Sequence, residues 1–239
     1  MSYRHSRARR AFQLQISQSL TELMPLYRHA RSYGGGESRL LAAYYVFAFA
    51  QFEQYVKSLV EDLIAAIVHA SPALDRVPDL MLGYILHKSE NLGRGYRKFG
   101  FAEDEGALLE SVAAAARKVA QWGQASQLQT QLETASFLEK KKYPSPKNLP
   151  QLFRRLGVRA IWPVINSAGK MNGELMLTSL NDLRTGIAHE GRVPPGFSLS
   201  DFKGRIDQME RFVAALDRGI SKYYCGVVMP RSVWNSQMS

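Results

Sequence analysis

The chain has 239 residues, of which 46% are hydrophobic, with a single cysteine and a formal net charge of +10. That length suits one large domain or two small ones, and that hydrophobic share suits a sizeable core. The lone Cys225 excludes an intramolecular disulfide framework, and the cationic excess favours polyanions, nucleic acid before anionic membrane.

The opening stretch "MSYRHSRARRAF" is basic and no apolar signal core follows it. The most apolar run, "LLAAYYVFAFA", has 11 residues before it meets Gln51 and Glu53. A membrane helix needs about 20. The expectation is a soluble, cytoplasmic protein with no membrane partner.

Helical periodicity dominates the chain. Residues 8–31 place Phe12, Ile16, Leu20, Leu23 and Tyr27 at helical spacing, with Pro25 a point where that helix kinks or splits. "YGGGES" then makes a turn through Gly34, Gly35 and Gly36. A long helix is predicted from about Ser38 to Ala70, ended by Pro72. Its first half is apolar on nearly all sides and reads as the central buried helix; its second half reads as amphipathic. The cluster Tyr44, Tyr45, Phe47, Phe49 and Phe52 reads as core.

Residues 78–100 suggest a shorter helix and then a loop with Gly93, Gly95 and Gly100, and residues 103–138 suggest two more helices. "LEKKKYPSPKN" is a basic loop in which Pro144 and Pro146 disfavour helix. "NLPQLFRRLGV" is a short helix capped near Gly157. A helix over 173–190 follows, then the turn "GRVPPG". A last helix starts from Ser198 or Ser200 as N-cap and runs to about Tyr224. No repeat and no alternating strand pattern is evident. The fold class is all-α, a helical bundle forming one domain over 1–239, with 90–147 a less regular helical insertion and basic loop.

The segment "LNDLRTGIAHEG", Leu180 to Gly191, carries the most chemistry. With Leu183 at zero on a helix of about 100° per residue, Met176, Leu180 and Ile187 fall within about 60° of it and make the core stripe. By the same arithmetic Arg184 falls near 100°, at the edge, and His189 near 240°, so the two stand about 140° apart. Asn181, Asp182 and Thr185 also fall outside the stripe. Two readings stand. One is a solvated face with a cation at the helix C-terminus. The other is a face that meets a second molecule, with Arg184 binding phosphate through its planar fork and His189 moving protons.

"LNDLRTGIAHEG" resembles the Arg-x4-6-His signature of HEPN domains, in particular their ribonuclease-like branches of RiboL-PSP-HEPN or MAE type. "YVFAFAQFEQYVKSLVEDLI" resembles the early long helix of those families, with its acidic residue here at Glu53, and "PSPKNLPQLFRRLGV" resembles the segment before their motif helix. Thr185 stands where the family most often has Asn, and Glu190 separates His189 from Gly191. The resemblance covers residues 38–70 and 143–224. It implies a metal-independent endoribonuclease, of the kind found as toxins or anti-phage effectors, with Arg184 and His189 catalytic. The implied partners are RNA, a second copy of the chain across a dimer-interface cleft, and an antitoxin or other defence protein. Glu53, Asn181, Asp182 and Thr185 would support the pair; Glu53 also reads simply as a polar residue on a helix surface. The alternative function is a HEPN-like module without catalysis, acting as a dimerising or RNA-binding adaptor.

Transesterification through the RNA 2′-hydroxyl needs a base, an acid and positive charge on the phosphorane. One chain offers one histidine, half of an acid–base pair. A two-fold dimer would offer two. Lys140, Lys141 and Lys142, and Arg7, Arg9 and Arg10, are candidate RNA-phosphate contacts, or simply solvated charge. His5, His29, His69 and His87 show no zinc spacing, Cys225 has no catalytic partner, and "GRGYRKFG" is not a nucleotide-binding loop. No metal and no cofactor is expected.

Overall fold

The computed structural model describes residues 3–32, 35–70, 72, 76–85, 132–139 and 143–239. Every regular element among them is helical: α1 (Arg7–Ser32), α2 (Glu37–Ala70), a helical stretch at 79–85, α3 (Thr134–Leu138), α4 (Asn148–Arg155), α5 (Ile161–Gly169), α6 (Gly173–Glu190), α7 (Leu199–Val227) and α8 (Arg231–Gln237). The all-α expectation is met. The expected loop glycines 93, 95 and 100, and most of the two helices expected within 103–138, lie outside the described residues.

Helix α2 is the axis of the bundle. It lies along α1 and also touches α3, α6, α7 and α8, while α5 packs on α7. Helix α1 runs unbroken over Pro25, held by Phe12, Ile16 and Leu23, all buried. That burial outweighs the main-chain bond a helix-interior proline removes.

The two halves of α2 reverse the sequence expectation. Its second half buries Tyr55, Val56, Leu59, Val60, Leu63, Ile64 and Ile67. Its apolar first half buries Tyr45, Phe49 and Phe52 but leaves Ala43, Val46, Phe47 and Ala50 exposed, with Phe47 at 44%. The cause is one-sided packing: α1, α6 and α7 cover one side of this half, and no described residue covers the other.

Helices α5 and α8 were not expected from the sequence. Helix α5 is only nine residues long and carries Pro163 in its first turn, where a missing N–H costs nothing. It crosses α7 closely at Gly219, where a Cβ would stand 2.9 Å from the Val164 carbonyl oxygen. Helix α8 extends the C-terminal region beyond the expected end near Tyr224. Its Trp234 donates through Nε1 to the Arg4 carbonyl (2.9 Å), tying α8 to the segment before α1.

The local stop signals stand where expected. Ser198 caps α7 in a reciprocal capping box with Asp201. Gly191 ends α6 at φ 67°, its N–H donating to the Ile187 carbonyl (2.8 Å). That left-handed conformation is cheap for glycine.

Candidate functional site

Helix α6 begins at Asn172, whose side chain accepts from the Leu175 N–H (3.0 Å). Its inward face differs from the stripe read off the sequence. Leu177, Leu180, Asn181 and Ile187 are buried, whereas Met176 and Leu183 are only partly so. On the same helical wheel the centre of that arc falls at about 100°, which is the position of Arg184. Arg184 therefore points inward, not along the edge, and Asn181 is buried, not on the polar face.

Tyr143 makes this arrangement possible. Its hydroxyl donates to Asn181 Oδ1 (2.8 Å), and Asn181 Nδ2 donates to the Pro144 carbonyl (3.3 Å). A buried amide is costly unless paired, and here both ends are. The Arg184 guanidinium carbon lies 5.3 Å from the centroid of the Tyr143 ring, within cation–π range. On its other flank Tyr143 stacks on Phe49 (5.8 Å), which meets Phe52 edge-on (5.6 Å). Rings thus run from Arg184 into the core.

Two more ties fix the parts. Tyr45 donates from its buried hydroxyl to the Leu180 carbonyl (3.0 Å), joining α2 to α6, and burial pushes its pKa up. Asn148 Nδ2 donates to the Tyr143 carbonyl (3.1 Å), so the first turn of α4 holds the residue that carries the ring. Pro144 and Pro146 keep 143–147 out of helix, as expected.

Glu53 joins the same group from α2. Burial raises its carboxyl above the ordinary value, opposed by Lys57 and Arg184. Burial likewise raises Tyr143, with Arg184 opposing and Glu53 adding to the rise. The three side chains share one electrostatic environment. Among the described residues the ion pairs within 4.0 Å are Arg7–Asp62 and Arg9–Asp217, so Glu53 neighbours Arg184 without a direct pair. Val46 and Ala50 share the helical face of Glu53 and bring the exposed apolar patch of α2 up to the site.

The other candidates fall apart from this group. Asp182, Thr185, Gly186, Ala188 and His189 are exposed on the outer side of α6. The fold does not bring His189 onto Arg184. Lys140, Lys141 and Lys142 lie outside the described residues. Arg7 pairs with Asp62 (2.8 Å), Arg9 is buried beside Asp217, and Arg10 donates to the His5 and Met238 carbonyls. The Arg7 and Arg10 guanidinium groups are engaged within the fold, and that of Arg9 is buried in it. Among the described residues, no three His, Cys, Asp or Glu side chains gather as a metal-ligand set, and no helix is long and apolar enough to cross a membrane.

Tyr143 is the residue that sequence reading missed. It stood next to a lysine run and two prolines and read as part of a charged loop. The available signal was an aromatic residue shortly before a helix whose later partner carries Asn and Arg one turn apart.

The described residues form an all-helical bundle around the long helix α2. The RiboL-PSP-HEPN family matches this chain over residues 15–222, and the chain belongs to that family. No curated protein and no solved structure matches it. Family membership points to a nuclease or other RNA-related role, and HEPN domains often pair.

Proposed function

We propose that the protein is a metal-independent endoribonuclease of HEPN type, acting as a two-fold dimer in which two α6 helices face one another. The observation that carries this reading is the fixed Arg184. It is a half-buried guanidinium seated on the Tyr143 ring beside the Tyr143–Asn181 hydrogen bond, with His189 exposed further along the same helix. A preset cation on the same helix as an exposed imidazole suits a reaction that develops negative charge on phosphorus and moves two protons.

The reaction balances without water or cofactor. One His189 takes the proton of the 2′-hydroxyl as its oxygen bonds to phosphorus. The P–O5′ bond breaks, and the 5′-oxygen leaves with a proton from the second His189. The products are a 2′,3′-cyclic phosphate and a 5′-hydroxyl. Arg184 balances the charge on the equatorial oxygens, and its bidentate fork orients them. Glu53, Asn181 and Tyr143 position Arg184; Asp182 and Thr185 line the exposed face that the RNA crosses. Lys140, Lys141 and Lys142 add positive charge for RNA phosphates.

The dimer is favoured by the exposed apolar stripe Ala43, Val46, Phe47 and Ala50 beside the site. A self-complementary patch of that kind closes under two-fold symmetry. A cytoplasmic enzyme of this activity would damage its own host, which fits a toxin or anti-phage effector held in check by an antitoxin. The test is RNA cleavage with chelator present, and growth on expression, for the wild-type chain and for His189→Ala. Metal-free cleavage and toxicity, both abolished in the variant, support the reading. An inert wild-type protein, or a variant as active as wild type, overturns it.

A further inference from the structure

Some distance from α6, a second cluster of cations lines a cleft between the segment before α1 and the C-terminal half of α7. The cleft has a volume of about 460 Å³ and is walled by Arg4, His5, Arg9, Asp217, Arg218 and Lys222, among others. It sits about 18 Å or more along α7 from Arg205, whose guanidinium donates to Ser179 of α6 (2.7 Å).

Its charge is unbalanced. Asp217 is the one carboxylate in the wall, and its Oδ atoms already accept from the Ser6 N–H and hydroxyl. Arg9 is only 8% exposed; its Nη1 stands 3.7 Å from Asp217, and its buried Nε has no hydrogen-bond partner. The Glu210 carboxylate also feels Arg9, yet a buried guanidinium N–H without an acceptor keeps a desolvation cost. Arg218 and Lys222, one turn apart and both exposed, add like charges on one helix face, a mildly destabilising arrangement, and Arg218 Nη1 also donates to the Ala168 carbonyl (3.3 Å). Burial, and then Arg9, lowers the His5 pKa, with Arg10 and Arg218 adding to the effect and Asp217 opposing it.

A second cavity, of about 620 Å³, adjoins this one. Arg218 and Lys222 line both, and the rest of its wall is mostly apolar, including Val164, Ala168, Tyr223 and Val227. The Tyr223 hydroxyl donates to the Gly157 carbonyl (2.8 Å), which fixes the ring in the wall. Volumes of this size, apolar with a few convergent polar groups, are typical of small-molecule sites.

We infer that the two cavities form one binding site for a small phosphate monoester with an apolar or aromatic body. The phosphate sits among Arg9, Arg218 and Lys222, and the body lies against Val164 and Tyr223. The anion adds a further counter-charge beside Arg9 and relieves the repulsion between Arg218 and Lys222. The site is separate from Arg184 and His189 and does not depend on their role.

The test is calorimetric titration of the full chain with phenyl phosphate, inorganic phosphate and phenol at constant ionic strength. Phenyl phosphate is expected to bind roughly tenfold or more tightly than inorganic phosphate, a modest gain for an added buried ring. Phenol is expected not to bind. Replacing both Arg218 and Lys222 by alanine should weaken phenyl phosphate roughly tenfold or more, while the folded signal is retained because both side chains are exposed. Replacing Arg28 and Arg31, exposed cations on α1, by alanine removes as much charge and should leave binding unchanged. The inference is overturned if millimolar phenyl phosphate gives no binding. It is equally overturned if phenol or inorganic phosphate binds as well, if the Arg28 and Arg31 replacement weakens binding as much as the Arg218 and Lys222 one, or if only RNA occupies the cleft.

Discussion

Arg184 rests on the face of Tyr143, 5.3 Å from the ring centroid, while the hydroxyl of the same ring bonds Asn181 one turn earlier on α6. One side chain from the loop before α4 thus holds two residues of the motif helix. Removing the hydroxyl and removing the ring should therefore have different consequences. Tyr143→Phe leaves Asn181 Oδ1 without its donor and should cost about 1 kcal/mol in urea unfolding, the usual net value of such a bond. Tyr143→Leu also removes the seat of Arg184 and should lower RNA cleavage well beyond what its stability loss explains. Equal activity in the two variants would separate the ring from any positioning of Arg184.

Arg184→Lys should reduce cleavage strongly although the charge is kept. An ammonium has neither the planar fork for two phosphate oxygens nor the flat face that stacks on Tyr143. A rate within a few-fold of wild type would show that point charge alone is sufficient.

The exposed stripe on α2 gives a prediction about assembly. Phe47→Glu places a charge in the apolar patch and should yield a folded monomer by light scattering, with cleavage lost in parallel. Because Phe47 is 44% exposed, the helix itself should tolerate the change. A variant that still pairs, or a monomer that still cuts, would move the interface elsewhere.

Glu53 sets a pH dependence with a definite sign. Burial raises its carboxyl, so the folded chain holds that proton more tightly than the unfolded chain does. Its contribution to stability is fully present below the unfolded value of about 4.3 and is lost as pH rises through the folded value. Glu53→Gln cannot titrate, so the decline in melting temperature from acid to neutral pH should be smaller in the variant. An identical pH profile would mean that the carboxyl is as solvated as in the unfolded chain.

Affinity for RNA should fall steeply with salt, because each phosphate contact releases counterions. Replacing Lys140, Lys141 and Lys142 together by alanine should flatten that slope if the three residues reach the backbone. An unchanged slope would place them away from the RNA.

What the sequence revealed was local. The capping of α7 at Ser198 and the stop of α6 at Gly191 follow from side chains and dihedral freedom within a few residues. The long α1 and α2 follow from uninterrupted periodicity. What it concealed was tertiary. The apolar residues of α6 by themselves centre its inward face on Leu183. Tyr143, 38 residues before Asn181, gives that core a polar and aromatic lining, and this turns Arg184 inward. Helix α5 escaped because nine residues are too few to show a period. The apolar first half of α2 reads as interior because composition does not say which side a neighbour leaves open.

The central claim is that His189 from each of two chains cuts RNA through its own 2′-hydroxyl while Arg184 carries the charge. The most direct measurement is the chemistry of the product ends on an oligonucleotide cut in the presence of chelator, beside the same oligonucleotide with a 2′-deoxy sugar at the cleavage position. The account predicts 2′,3′-cyclic phosphate and 5′-hydroxyl ends, no cleavage of the deoxy substrate, and a loss of roughly a hundredfold or more in His189→Ala, the scale of a missing acid–base group. Cleavage of the deoxy substrate, or 5′-phosphate ends, would contradict it.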